Sequence, residues 1–121
     1  MPRTTIARSK STSVTTSEIN LLDTGAITAG SVDNTVPLGD VESYAIVIAN
    51  TGGVDITVRL YLGAGSTCGP RAQSAVTATV GTGTTWSYQL SGNAMRSLAL
   101  TGQTAAGSTT IVADFIGVVY R

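Results

Sequence analysis

Between Val54 and Leu62 the chain alternates without a break, with Val54, Ile56, Val58, Leu60 and Leu62 on one side and Asp55, Thr57, Arg59 and Tyr61 on the other. That two-residue period predicts a strand with one buried and one wet face. Upstream, Tyr44, Ile46 and Ile48 alternate with Ser43, Ala45, Val47 and Ala49 inside Val41–Asn50. Both faces of this segment are apolar or small, which predicts a central strand. Asn50-Thr51-Gly52-Gly53 between the two tolerates positive φ, and the pair reads as a β-hairpin.

A second hairpin is expected from Ser74–Val80 and Thr84–Leu90 around the turn Gly81-Thr82-Gly83. Val76, Ala78 and Val80 face one way in the first arm, and Trp86, Tyr88 and Leu90 share a face in the second. A short strand is expected near Met95–Thr101, and a long one over Thr109–Tyr120 that is apolar on both faces apart from Asp114. A bulge, an edge position or a subunit contact would each account for that carboxylate. Ile19–Asp23 and Ala26–Ser31 are weaker strand candidates. No window shows an apolar period of 3.6 with helix caps. The fold class expected is all-β, an antiparallel β-sandwich or jelly roll of seven to eight strands with an extended N-terminal arm.

Composition agrees with strands. Thr, Val and Ile make up 40 of 121 residues, and such branched side chains suit a pleated surface. The length fits a single domain. No histidine is present, so Ser-His-Asp, Cys-His and His-ligated metal chemistry are excluded. The lone Cys68 rules out an intrachain disulfide and a Cys-rich zinc site, and it fits a reducing compartment. No segment has the apolar length of a membrane span, and the first residues lack the apolar core of a secretion signal.

Charge divides the chain more sharply than composition does. The formal net charge is zero. Residues 1–17 nevertheless carry Arg3, Arg8 and Lys10 without an acid, and residues 18–121 carry the balancing excess of acids. Residues 1–17 are therefore expected to form an extended basic arm on a sandwich spanning 18–121. Two readings of the arm stand side by side: an idle terminus, or a segment in which Arg3, Arg8 and Lys10 grip a neighbouring subunit.

Candidate chemistry is sparse. Gly63-x-Gly65 and Gly81-x-Gly83 begin like phosphate-binding loops, but strands follow them rather than helices, so turns are the better reading. Asp33, Asn34, Asp40 and Glu42 form the densest acidic stretch, yet their spacing matches no calcium loop. Lys10 lies in the arm and lacks the rigid, desolvated setting that a catalytic base requires. Neither catalytic nor metal-binding residues are expected, and no cofactor. Trp86 and Tyr88 share a strand face and offer two readings, part of the core or a platform for stacking sugars. Three basic residues with few aromatics do not make a nucleic-acid site.

The stretch Tyr44–Leu62, YAIVIANTGGVDITVRLYL, resembles a pattern found in small β-sandwich accessory proteins of tailed-phage particles. The later TTWSYQL and TTIVADFIGVVYR strands suit the same plan, so the resemblance extends over residues 19–121. It implies a non-enzymatic virion component, above all a capsid decoration (cement) protein made in the host cytoplasm. Such a protein would form homo-oligomers and bind a major capsid or other virion protein. Another small head or tail protein is a near variant of that reading. A glycan-binding recognition or adhesion module, with Trp86 and Tyr88 as its platform, is the alternative from a different class.

Overall fold

A computed structural model of the chain describes residues 3–22, 27–28, 31–32, 36–37, 41–63, 73–91 and 97–120. The described strands are β1 (Arg3–Val14), β2 (Ile19–Asn20), the two-residue pieces β3 (Ile27–Thr28), β4 (Ser31–Val32) and β5 (Val36–Pro37), then β6 (Val41–Asn50), β7 (Ile56–Gly63), β8 (Gln73–Val80), β9 (Thr85–Ser91), β10 (Ser97–Thr104) and β11 (Thr109–Tyr120). Two four-stranded antiparallel sheets make an eight-stranded β-sandwich. Sheet A runs β1-β11-β6-β9 and sheet B runs β2-β10-β7-β8, with β5 also pairing β10. This alternation of sheets along the chain is jelly-roll topology.

The alternation of side chains builds the core between the sheets. Ile46, Ile48, Ile111, Ala113 and Phe115 point inward from sheet A, and Ile56, Val58, Leu60, Leu98 and Leu100 from sheet B; all are buried. Each large aliphatic side chain withdrawn this way stabilises the fold by roughly 1.5–3 kcal/mol. The inward face expected for Val54–Leu62 is the face that β7 buries, and β6 is central as expected, lying between β11 and β9. Asp114 occupies neither an edge nor a bulge. It lies opposite Ser9 and Val47 on the central strand β11, whose register shift comes at Val118/Val119.

Both expected hairpins differ from the structure in the same way. β6 lies in sheet A and β7 in sheet B, and β8 and β9 are split likewise. Each turn is an arch that carries the chain from one sheet to the other. The physical reason lies in Asn50, whose buried amide fills the space under both arches. Its Nδ2 donates to Val54 O at 2.8 Å and to Val80 O at 3.0 Å. Its Oδ1 accepts from Gly52 N at 3.2 Å and from Thr109 Oγ1 at 2.8 Å. Its backbone is bonded across the other arch, from Asn50 N to Thr84 O and from Gly83 N to Asn50 O. A two-stranded hairpin would have no place for such a hub, because both arms would lie in one layer.

The segment expected as an arm is also different over most of its length. Arg3–Val14 is strand β1, paired in unbroken register with β11 from Arg3↔Tyr120 to Val14↔Thr109. Its side chains alternate in the described part, with Ser9, Ser11 and Ser13 exposed, Lys10 and Thr12 half-buried and Val14 buried. Hydroxyl side chains are small enough for either face of an edge strand, so composition alone did not reveal this period. Residues 15–18 then cross to sheet B, where Thr104 N donates to Thr15 O at 2.8 Å.

Candidate functional site

Two surfaces are built by the outward-facing residues. On sheet A the register aligns Ala7, Ile116, Ala45 and Gln89 in one row across the four strands. The neighbouring rows are Ser9, Asp114, Val47, Ser87 and then Ser11, Val112, Ala49, Thr85. Apart from Asp114 the middle of this face is aliphatic, and apart from Ala7 its rims are hydroxyl or amide. Asp114 is the one charge within these rows. Ile116 is 47% exposed, the large hydrophobic most open to solvent among the described residues. Beside it, Ala45, Gln89, Leu90 and Val118 help to line a shallow groove of about 230 Å³.

The outward face of sheet B is polar. Arg59 and Tyr61 of β7 stand next to Thr101 and Gln103 of β10, and Glu18 approaches them from the crossing segment. Tyr61 OH donates to Glu18 Oε2 at 2.9 Å and Thr101 Oγ1 donates to the same oxygen at 2.6 Å. Arg59 Nη1 lies 3.6 Å from that oxygen and donates to Gln103 Oε1 at 3.1 Å. Gln103 Nε2 donates in turn to Thr16 O at 2.7 Å. Burial raises the Tyr61 phenol above its ordinary value, and the bond to Glu18 and its charge act in the same direction. Arg59 and Thr101 pull it back.

This cluster works as a clasp. Three groups converge on one carboxylate oxygen and hold the 15–18 crossing against sheet B. The half-buried ion pair within it adds at most about 1 kcal/mol, while the two hydroxyl bonds to the charged oxygen are the stronger part. A hollow of about 290 Å³ opens beside Arg59 and Gln103, edged by Thr16, Thr57, Thr104 and Ala105. Reading along the chain did not find this cluster, since Glu18 is 43 residues from Tyr61 and 83 from Thr101. The available signal was local: Arg59 and Tyr61 are bulky polar groups side by side on the wet face of the clearest strand.

The residues singled out in the sequence are spread over the fold. Lys10 is half-buried in β1, opposite Ala113. Arg3 and Arg8 pair through their backbones with Tyr120 and Phe115, and their side chains lie outside the described residues. Trp86 and Tyr88 are half-buried on the inward face of β9 and pack against the core. Their rings stack at 6.3 Å between centroids with 14° between planes. Tyr88 also meets Tyr44 at 6.4 Å, and Tyr44 stacks on Phe115 at 5.7 Å. Glu42 is exposed on β6, whereas Asp33, Asn34, Asp40 and Cys68 lie outside the described residues. Among the described residues no group of three or more Cys, Asp or Glu side chains is placed to hold a metal ion.

No protein-family model matches the chain, and no curated protein matches it. Solved structures do share its fold. The chain is similar to PirA with a TM-score of 0.56 and 17% identity over 94% of each chain. It is similar to Bacillus endospore appendages, described as disulfide-linked pili, with a TM-score of 0.51 and 16% identity over 98% of this chain and 89% of that one. It is also similar to the phage PRD1 vertex protein, with a TM-score of 0.52 and 11% identity over 94% of this chain and 96% of that one. At these identities what is shared is the β-sandwich.

Proposed function

We propose that the protein is a non-enzymatic structural component of a virion, a capsid decoration protein that joins copies of itself and holds a larger shell by surface contact. The observation that carries this reading is the outer face of sheet A. An aliphatic centre with Ile116 at 47% exposure and hydroxyl rims suits burial against another protein. Asp114, the one charge within the three rows named above, offers a point of polar registration. Charged residues make up only 12% of the chain, so little electrostatic repulsion opposes close packing of copies. A phage vertex protein and a pilus family use a sandwich of the same kind, so the fold suits a task of contact. On this reading the protein is made in the host cytoplasm and carried in the particle, its partners being itself and a capsid protein.

Static light scattering of the purified chain over a range of concentrations tests the reading. Mass that rises with concentration is expected, and Ile116→Lys should weaken that rise while leaving the circular dichroism spectrum unchanged. A chain that stays monomeric throughout overturns it. A glycan-binding module would instead use the faces of Trp86 and Tyr88, which are half-buried and packed against the core.

A further inference from the structure

Sheet A ends in two very different edges. β1 forms one and β9 the other, and among the described residues each pairs with a single strand. Proteins usually protect such edges with charge, proline or bulges, since unpaired amides and carbonyls invite another strand. β1 has that protection in Arg3, Arg8 and Lys10. β9, Thr-Trp-Ser-Tyr-Gln-Leu-Ser, has no charge and no proline, and its register with β6 is unbroken.

The strand order adds a geometric condition. β1 is antiparallel to β11, β11 to β6, and β6 to β9. After three reversals β9 runs opposite to β1. Two copies set side by side in the same orientation therefore bring β9 of one antiparallel to β1 of the next. Ser9, Ser11 and Ser13 would then face Thr85, Ser87, Gln89 and Ser91 on the outer side, and opposed hydroxyl residues are favourable cross-strand neighbours. Pairing β1 with another β1 would instead bring two copies of the basic segment together.

We propose that sheet A continues from one copy of the chain into the next, β9 of one copy accepting β1 of its neighbour as a fifth strand. The idea rests on the reading above, that copies of the chain assemble, and it names the contact. Such a contact is head-to-tail, so it closes into a ring or runs on as a helical filament rather than stopping at a two-fold dimer.

Charges introduced at exposed positions test it while leaving the core untouched. Ser87→Lys with Gln89→Lys places two bulky cations on the outer side of β9, where the small hydroxyls Ser9, Ser11 and Ser13 of a neighbour's β1 would pack. The concentration at which half the protein is assembled should rise about tenfold or more, with an unchanged circular dichroism spectrum. Adding Ala7→Glu and Ser11→Glu on β1 of the same chain should bring assembly back. Assembly unaffected by the lysines overturns the proposal. So does failure of the glutamates to restore it, which is the outcome expected if β9 pairs with another β9 or with a foreign partner. A wild-type chain that never assembles overturns the functional reading itself, whereas wild-type assembly that ignores β9 overturns only this contact.

Discussion

Thr109 Oγ1 donates a buried hydrogen bond of 2.8 Å to Asn50 Oδ1, joining the end of β6 to the start of β11 across 59 residues. Thr51 strengthens the same junction, since its backbone N and its Oγ1 both donate to Thr110 O. The Asn50 amide is fully used, with two donors and two accepted bonds, and this is what makes it costly to alter.

Asn50→Ala should lower the free energy of unfolding by about 2–4 kcal/mol, because Val54 O, Val80 O and Thr109 Oγ1 lose a partner together. Thr109→Val should cost about 1–2 kcal/mol, leaving one acceptor lobe of Asn50 unfilled. In urea denaturation the double variant should cost less than the sum of the two singles, since both remove the same bond. Strict additivity would show that the two residues act separately.

Gly52 and Gly53 should respond in opposite ways. A Cβ on Gly52 would run into Thr109 Oγ1 and come within 2.7 Å of Thr110 N, whereas one on Gly53 would meet nothing within 4 Å. Gly52→Ala is expected to destabilise by about 1–3 kcal/mol, and Gly53→Ala to stay within about 0.5 kcal/mol of wild type. Thermal melts of the two variants, compared directly, check this.

Alkaline stability should depend on Tyr44. Burial, with a smaller contribution from Tyr88, pushes its phenol up from 10.0 to about 12. The folded chain thus holds this proton more tightly than the unfolded chain, so the stabilisation is complete below pH 10.0 and is lost as pH rises toward about 12. Tyr44→Phe should lose less stability than wild type over that window, measured by urea midpoints at its two ends. Tyr61, also raised, will keep part of the slope. At neutral pH the same substitution should change stability by less than about 1 kcal/mol, since the buried Tyr44 hydroxyl makes no hydrogen bond among the described residues.

Removing residues 2–14 should unsettle the sandwich itself. An idle arm would come away without loss. Strand β1 pairs along the whole of β11 and buries Val14, so its deletion bares a long apolar edge. A fall of about 3 kcal/mol or more in unfolding free energy, with aggregation, is expected. A truncated chain that melts like the full one would return the segment to the status of an arm.

Much of the fold was legible because alternation records which side of a strand meets water. Ile56, Val58 and Leu60 could be assigned inward from the sequence, and Val41–Asn50 could be assigned a central place. The candidate surfaces were harder to read. Ile116 sits in a run apolar on both faces, where period-2 reasoning gives no inside or outside. The Glu18 clasp joins residues from three distant segments, and nothing near Glu18 in sequence announces Tyr61 or Thr101.

The amino-acid order by itself determined that this is an all-β chain without histidine chemistry, with inward and outward positions marked along its clearest strands. These are local consequences of side-chain shape and polarity. Tertiary structure alone decided that β6 and β7 part at Asn50, that Arg3–Val14 joins a sheet, and that β1 and β9 become its two edges. A turn sequence fixes how the chain bends but not which layer it enters next. That choice is made by partners many residues away, through hydrogen bonds and buried area that exist only once both sheets have met.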